Sequence, residues 1–436
     1  DGIRRYGINA FWLVSEKAVR LVFGLLVGVY VARQLDPTGY GELNYALSFT
    51  AVFSVLAGLG VNDVVLRELI RSPEKEGVLL GSCAGIRFGG FLLMIGIFAG
   101  ILFLSGGMSG EFSLVFIIGC GYLFQVFQGI ELCFQARLMA KYSVWSQVGA
   151  LVFCAFLRVY GAWKRFPLEF FASVEVVYMG LCAAGYCFFY WKNGAVRWTF
   201  SRNVVLRLLR EGWPLALSAF AVLIQMQSDQ VLLKSLKSSA EVGIYSVAVR
   251  WVALWYFVPV TLGSALFPAI VRAREISMTL YIRRLRQFFS LMTWSGIGFV
   301  VVSVVMSFLV VPLYGEAYRE AGWLMRIYAL GLVPVFFGSA RTRWLTAGHR
   351  IFDLSACSAG GAVCSVTLNL LLIPAYGAFG CCIASVCSFV FGFMVMPFFF
   401  RKRALHFMLL KQVWCEPFDR DFFREWRVAD GRGYSK

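Results

Sequence analysis

The sequence predicts an all-α polytopic membrane protein of about twelve transmembrane helices, and three observations carry that prediction. Hydrophobic residues make up 59% of the 436 and charged residues only 15%, against roughly a quarter charged in a water-soluble domain. The apolar runs are about 20 residues or longer, the length a helix needs to cross the hydrocarbon core. A transmembrane β-barrel would instead show runs of about ten residues with period two. Finally, the bases collect in alternate connections, as topology in a bilayer requires.

Taken in order, spans are expected at 8–35, 41–69, 77–104, 111–136, 142–163, 168–191, 212–236, 241–270, 287–313, 320–346, 351–374 and 377–400. The first run is too long for a cleavable leader and lacks a small-residue cleavage site. The turn Asp36-Pro37-Thr38-Gly39-Tyr40 separates the first two spans, and Gly41-Glu42-Leu43-Asn44-Tyr45-Ala46 opens the second. About two hundred residues later, Gly243-Ile244-Tyr245-Ser246-Val247-Ala248 repeats that turn-to-helix passage. The repeat predicts two pseudo-symmetric six-helix lobes, residues 1–200 and 201–403, around a central cavity, followed by a cytoplasmic tail at 404–436.

Net charge is +17, and its placement gives the topology. About 29 of the 41 Lys and Arg residues fall at the N-terminus, in the even-numbered connections or in the tail, so the positive-inside rule puts both termini in the cytoplasm. Lys164-Arg165 and the pair Lys234 and Lys237 are exceptions. Topology accounts for the basic loops, so no nucleic-acid partner is expected. Between Lys192 and Glu211, Val204, Leu206, Leu208 and Leu209 interleave with Arg202, Arg207 and Arg210, which suggests an amphipathic interfacial helix or a solvated linker.

No P-loop and no H-E-x-x-H is present, and the two histidines, His349 and His406, stand near span ends. Asp419-Arg420-Asp421 matches a D-x-D superficially, in a short tail without a nucleotide fold. No long loop is available to house an active site. The twelve cysteines lie nearly all in apolar spans and read as packing residues. No metal site and no cofactor are expected, and the chain reads as a transporter and not an enzyme.

The informative residues are ionisable groups at membrane depth, where each costs a few kcal/mol unless it faces a cavity or a partner. They are Glu16, Lys17, Arg20, Arg87, Glu131, Arg158, Glu175, Asp229, Arg250 and Arg326. Bases outnumber acids, so a shared cavity would be cationic and would suit a diphosphate, whose oxygens guanidinium groups bind bidentately. Lys17, Arg20, Arg87, Arg250 and Arg326 are the candidate substrate-binding residues; Glu16, Glu175 and Asp229 are candidates for coupling to H+ or Na+. The structural alternative is internal pairing: Glu16 with Arg20 at i,i+4, Arg158 with Glu175, and an interhelical clasp at Asp229. Gly24 and Gly28, and Gly85 and Gly89, form GxxxG pairs that predict close helix contacts. Pro259, Pro268 and Pro334 can interrupt their spans.

Three stretches carry a family resemblance. Leu35-Asp36-Pro37-Thr38-Gly39-Tyr40-Gly41 with Tyr45-Ala46 resembles the first periplasmic turn of the Wzx-type polysaccharide flippases. Asp229-Gln230-Val231-Leu232-Leu233 with Glu241-Val242-Gly243-Ile244-Tyr245-Ser246 resembles that family's seventh and eighth helices. Asn369 to Gly380, followed by Ile383-Ala384-Ser385, resembles its passage from the eleventh helix to the twelfth. The wider superfamily includes the multidrug/toxin extrusion (MATE) antiporters and the lipid II flippases. The resemblance implies two six-helix lobes around a cavity and alternating access in the bacterial inner membrane. It also implies an undecaprenyl-diphosphate-linked oligosaccharide as substrate, with a polysaccharide polymerase and a chain-length regulator as further partners. In lipid II flippases, arginines of the first and eighth helices line the cavity; Arg20 and Arg250 lie in those helices here, without a residue-by-residue match. Small-molecule antiport, and glycan polymerisation or ligation by a multi-pass enzyme, are the alternative readings.

Overall fold

The structure, a computed structural model, describes residues 2–104, 110–347 and 351–399. Among them fifteen α-helices, short 3-10 turns and one π-helical turn form, and no strand does. The loop residues 105–109, His349, Arg350, His406, the Arg401-Lys402-Arg403 cluster, the D-x-D triplet and the expected tail at 404–436 lie outside the described residues.

Among the described residues nine helices are long and apolar enough to cross a membrane, or ten if the bent pair Glu316–Ala329 and Leu332–Thr346 counts as one span. Two of the nine runs each join two helices at one non-helical residue, Asp36 (φ 57°) in α1 (Gly2–Gly58) and Gly377 (φ 56°) in α15 (Ile351–Val390). Divided there, and with the bent pair counted as one span, the runs give the twelve spans expected. The chain is a polytopic all-α membrane protein. Phe103, Leu104, Trp191 and Phe352 are exposed while Arg87, Asp229 and Arg341 are buried, the reverse of a chain folded in water.

The first turn is tighter than its sequence suggests. A single residue, Asp36, leaves the helix, and Pro37 begins the next one at once. Proline suits that first position because its φ is already helical and its missing N–H would have no partner there. The same economy governs Pro259 and Pro334. Pro259 is the third residue of α10 (Phe257–Ile276) and Pro334 the third of α14 (Leu332–Ala347). The interruption therefore precedes each proline, at a 3-10 turn over Leu254–Tyr256 and at the bend after Ala329. α10 continues through residue 268. The fourth span breaks without any proline: α4 (Gly110–Gly121) and α5 (Gly129–Ala136) flank a 3-10 stretch over Tyr122–Gln128.

By packing, the chain divides into two compact units, Asp1–Val247 with Val311–Tyr318, and Ala248–Val310 with Arg319–Lys436. This division follows packing; the lobes expected at 1–200 and 201–403 follow the sequence repeat. In the first unit, Val65, Leu79, Ile130, Phe134, Tyr186 and Leu208 centre one core, and Met94, Phe98, Leu114 and Tyr122 another. In the second, Phe288, Phe289, Met292 and Phe337 pack together. There Arg341, inside the expected span 320–346 but absent from the membrane-depth charges named above, is 1% exposed within α14. It donates to the carbonyls of Gly392 (2.9 Å) and Phe393 (3.2 Å), in the π-helical turn Phe391–Val395 whose altered ladder leaves acceptors to be satisfied.

The repeated helix starts meet inside the first unit. A Cβ at Gly41 would lie 2.7 Å from the Ser239 carbonyl carbon and 2.8 Å from the Gly243 nitrogen; one at Gly243 would lie 2.8 Å from the Pro37 carbonyl carbon. Each start is thus seated on the other, and only glycine permits it.

The GxxxG reading needs correction. A Cβ at Gly24 or Gly89 would meet nothing within 4 Å. On α3 (Glu76–Leu104), the glycines instead seat an extended segment. Gly77 faces the backbone at Arg197, Gly81 that of Thr199, and Gly85 the ring of Phe200. Thr199 N–H donates to the Gly77 carbonyl at 3.1 Å, and Ser201 N–H to Ser82 Oγ at 3.3 Å. Glu76 fixes the start of this strap, accepting from Tyr190 (2.8 Å) and from Arg137 (2.5 and 3.1 Å). Burial disfavours the Arg137 charge, yet Glu76 outweighs it and holds the pKa above its ordinary value. Beyond the strap, the amphipathic stretch is no separate helix: α8 runs unbroken over Arg202–Leu236. Its first turns bury Leu208 and pair Arg207 and Glu211 with Glu68 and Arg67 of α2 (Asn62–Arg71).

Candidate functional site

The first unit encloses a cavity of about 340 Å³ at membrane depth. Its lining comes from the first half of α1, the 3-10 stretch Tyr122–Gln128, α5, α6 (Ala140–Trp163) and α7 (Leu168–Lys192). Because the fourth span tightens into 3-10 geometry, its residues three apart eclipse. That brings Gln125 and Gln128 to the same wall.

One chain of polar contacts crosses the cavity. Arg20 donates from Nε to Glu16 at 2.7 Å and from Nη2 to Gln147 Oε1 at 2.8 Å. The Gln147 amide donates in turn to Tyr186 (2.7 Å) and Glu131 (3.2 Å). Glu131 also accepts from Tyr186 (3.4 Å) and Gln135 (3.3 Å). The Arg20 guanidinium lies 5.9 Å from the Tyr178 ring centroid. Its side chain keeps 47% of its surface open, so it can meet a ligand while held at one edge. Arg20 and Glu131 are the charged lining residues, and they balance.

Arg87 stands behind this wall. It is 1% exposed and donates to the Gln125 carbonyl (3.1 Å), Gln128 Oε1 (2.8 Å) and Asn62 Oδ1. All three acceptors are neutral, and among the described residues no carboxylate pairs with Arg87. Its Nε is buried without a partner.

The other expected residues are distributed more widely. Lys17 is exposed on α1. Arg158 and Glu175 form an ion pair between α6 and α7, the pairing weighed from sequence. Asp229 is 1% exposed and accepts from the Tyr245 hydroxyl and from the Gln230 amide at 2.8 Å, an interhelical clasp that Ser246 and Gln230 extend at 3.0 Å. Arg250 is half-buried on α9 (Ser239–Ala253) and falls in the second unit. Arg326 lies in that unit too, bonded to Ser307 (2.8 Å) and set over the rings of Phe308 (4.5 Å) and Trp323 (4.3 Å). Of the ten membrane-depth charges, then, Arg20 and Glu131 line the cavity, with Glu16 attached to it. The sequence reading passed over the amides Gln125, Gln128 and Gln147; their signal was polarity at membrane depth without charge. No metal-ligand cluster forms among the described residues, and the described cysteines are free thiols.

An all-α bundle holding a partly polar cavity at membrane depth is a polytopic membrane protein by class, and comparison with known proteins sharpens this. The lipid II flippase MurJ in an inward closed conformation superposes with a TM-score of 0.71 at 12% identity, over 97% of this chain and 95% of that one. An inward-facing multidrug resistance MATE family transporter of the MOP superfamily gives 0.67 at 15%, over 91% and 96%. A MOP superfamily transporter from Pyrococcus furiosus, reported to have a binding pocket of reversed polarity, gives 0.57 at 16%, over 94% and 96%. These likenesses establish the fold. No curated protein sequence matches the chain. The family model of polysaccharide biosynthesis proteins matches residues 7–274, and the chain belongs to that family. Family and fold together bear out the resemblance to polysaccharide flippases of the MOP superfamily.

Proposed function

We propose that this protein flips a lipid-linked oligosaccharide, carried on undecaprenyl diphosphate, across the bacterial inner membrane by alternating access of its two repeated lobes. Both termini face the cytoplasm in this reading, and a polymerase and a chain-length regulator act on the product. The protein transports and does not catalyse. One observation carries the reading: a chain of the polysaccharide biosynthesis family holds, at membrane depth, a cavity lined by amides, tyrosines and a reachable guanidinium. Such a lining lowers the cost of moving a polar headgroup through hydrocarbon. Coupling to H+ or Na+ through Glu16, Glu175 or Asp229 belongs to the proposal, and so does a contribution of Lys17, Arg250 and Arg326 to substrate binding; Arg87, buried behind the cavity wall, would contribute only through the residues it holds.

The test is deletion followed by localisation of lipid-linked glycan. Accumulation on the cytoplasmic leaflet supports the reading; accumulation of unpolymerised glycan on the outer leaflet points to a polymerase or ligase. Arg20→Ala should abolish surface glycan at unchanged protein level. Flipping in vesicles at equal rates with and without an ion gradient would remove the coupling. The balanced charge of the cavity favours a second reading, small-molecule antiport; drug sensitivity of a deletion strain with intact surface glycan would select it.

A further inference from the structure

We infer that the cavity of the first unit is a subsite for the uncharged sugar hydroxyls of the substrate, built on Gln125 and Gln128, and not the seat of the diphosphate. This rests on the flippase reading above. The argument begins with which polar atoms remain to be used. Arg20 is held by Glu16 and Gln147, and Glu131 accepts three hydrogen bonds. Gln147 is spent on both sides of its amide. Arg20, the guanidinium that lines the cavity, is balanced by Glu131 and already bonded to Glu16, so it has little charge left for a diphosphate.

The two amides of the 3-10 wall are different. Gln125 gives its backbone carbonyl to Arg87, and its side-chain amide bonds to no protein group among the described residues. Gln128 gives Oε1 to Arg87. Arginine can only donate, so that contact fixes which end of the amide faces it. The Gln128 NH2 is therefore turned away from Arg87, with both hydrogens unclaimed by protein among the described residues. A wall that offers one oriented donor group and one complete amide matches hydroxyls, which both donate and accept. Phe124 and Tyr178 beside it give apolar faces for the sugar ring. Arg87, which touches no ligand, is a positioning residue. Buried without a carboxylate, it keeps Gln128 in one orientation, and a charged hydrogen bond holds that orientation more firmly than a neutral one.

The experiment uses the full-length protein in detergent and two probes: glycan released from the lipid-linked precursor that accumulates on deletion, and farnesyl diphosphate, which has no sugar. Gln128→Leu and Gln125→Leu should each weaken glycan binding about tenfold and leave farnesyl diphosphate affinity unchanged. Gln125→Leu removes no bond to protein, so it tests the subsite without testing the fold. Gln128→Glu keeps an acceptor for Arg87 but loses the NH2 group, and should fail like Gln128→Leu. Arg87→Gln should lose glycan affinity, and Arg87→Lys, which can still donate to Gln128, should recover most of it. Unchanged glycan affinity in the Gln125 and Gln128 variants, or equal loss of both probes, overturns the subsite. A wild-type protein that binds no glycan overturns the flippase reading itself.

Discussion

Gly41→Ala tests whether the two repeated helix starts are seated on one another. The new Cβ would stand 2.7 Å from the Ser239 carbonyl carbon and 2.8 Å from the Gly243 nitrogen. Ordinary contact needs 3.4 Å or more, so the two backbones must part by about 1 Å, and neither can yield by turning a side chain. Overpacking of this kind costs about 1–3 kcal/mol, or roughly 2–6 °C in apparent melting temperature at about 2 °C per kcal/mol. Thermal unfolding of the purified protein in detergent reads it. Gly39→Ala is the control, because its Cβ would make only ordinary contacts, with the Leu168 side chain at 3.4 Å and Leu35 Cβ at 3.6 Å. Gly243→Ala should match Gly41→Ala. The double variant should cost less than the two singles added, since both open the same contact. If Gly41→Ala melts with Gly39→Ala, the seating plays no part in stability.

Three further substitutions address the turn, the strap and the ion pair. Asp36 holds φ 57° and ψ 168°, a region open to glycine, so Asp36→Gly should melt no lower than wild type, whereas Asp36→Val should lose about 1–3 kcal/mol in the same assay. Gly81→Val should lift residues 197–200 off α3, seen as faster trypsin cleavage at Arg197 or Arg202; an unchanged digest would show the strap is not held by the glycines. Arg158→Leu should destabilise more than Arg158→Leu combined with Glu175→Leu, because the single change strands a carboxylate at membrane depth. Equal melting of the two would mean Glu175 has found water.

What the sequence made legible was whatever depends on local pattern. Long apolar runs gave the spans, and i,i+4 spacing foretold Glu16 with Arg20. The pairing of Arg158 with Glu175 needed only that consecutive spans lie side by side. Contacts between distant segments stayed hidden. Glycines four apart on α3 carry the same pattern whether they admit a helix or an extended strap, so Gly77, Gly81 and Gly85 could not reveal Phe200 and Thr199. Arg341, near the end of its expected span, has no visible role in the sequence because nothing there shows the π-helical turn whose carbonyls it satisfies. Gln125 and Gln128 carry no formal charge, so the pattern of membrane-depth charges does not point to them. The 3-10 tightening that aligns them has no proline to announce it.

The charges of the first unit show why amides matter more at this site than the excess of bases suggested. A lone charge at membrane depth is costly, and pairing cancels most of its field. Arg20, Arg137 and Arg158 each carry a carboxylate neighbour, so the cationic character counted in the sequence does not reach the cavity as a field. Arg87 has no carboxylate neighbour among the described residues and is buried against three neutral acceptors, and in the proposal above its charge orients those neighbours. A cavity that must release what it binds gains from such a division. Hydrogen bonds from amides to hydroxyls are individually weak and exchange readily with water.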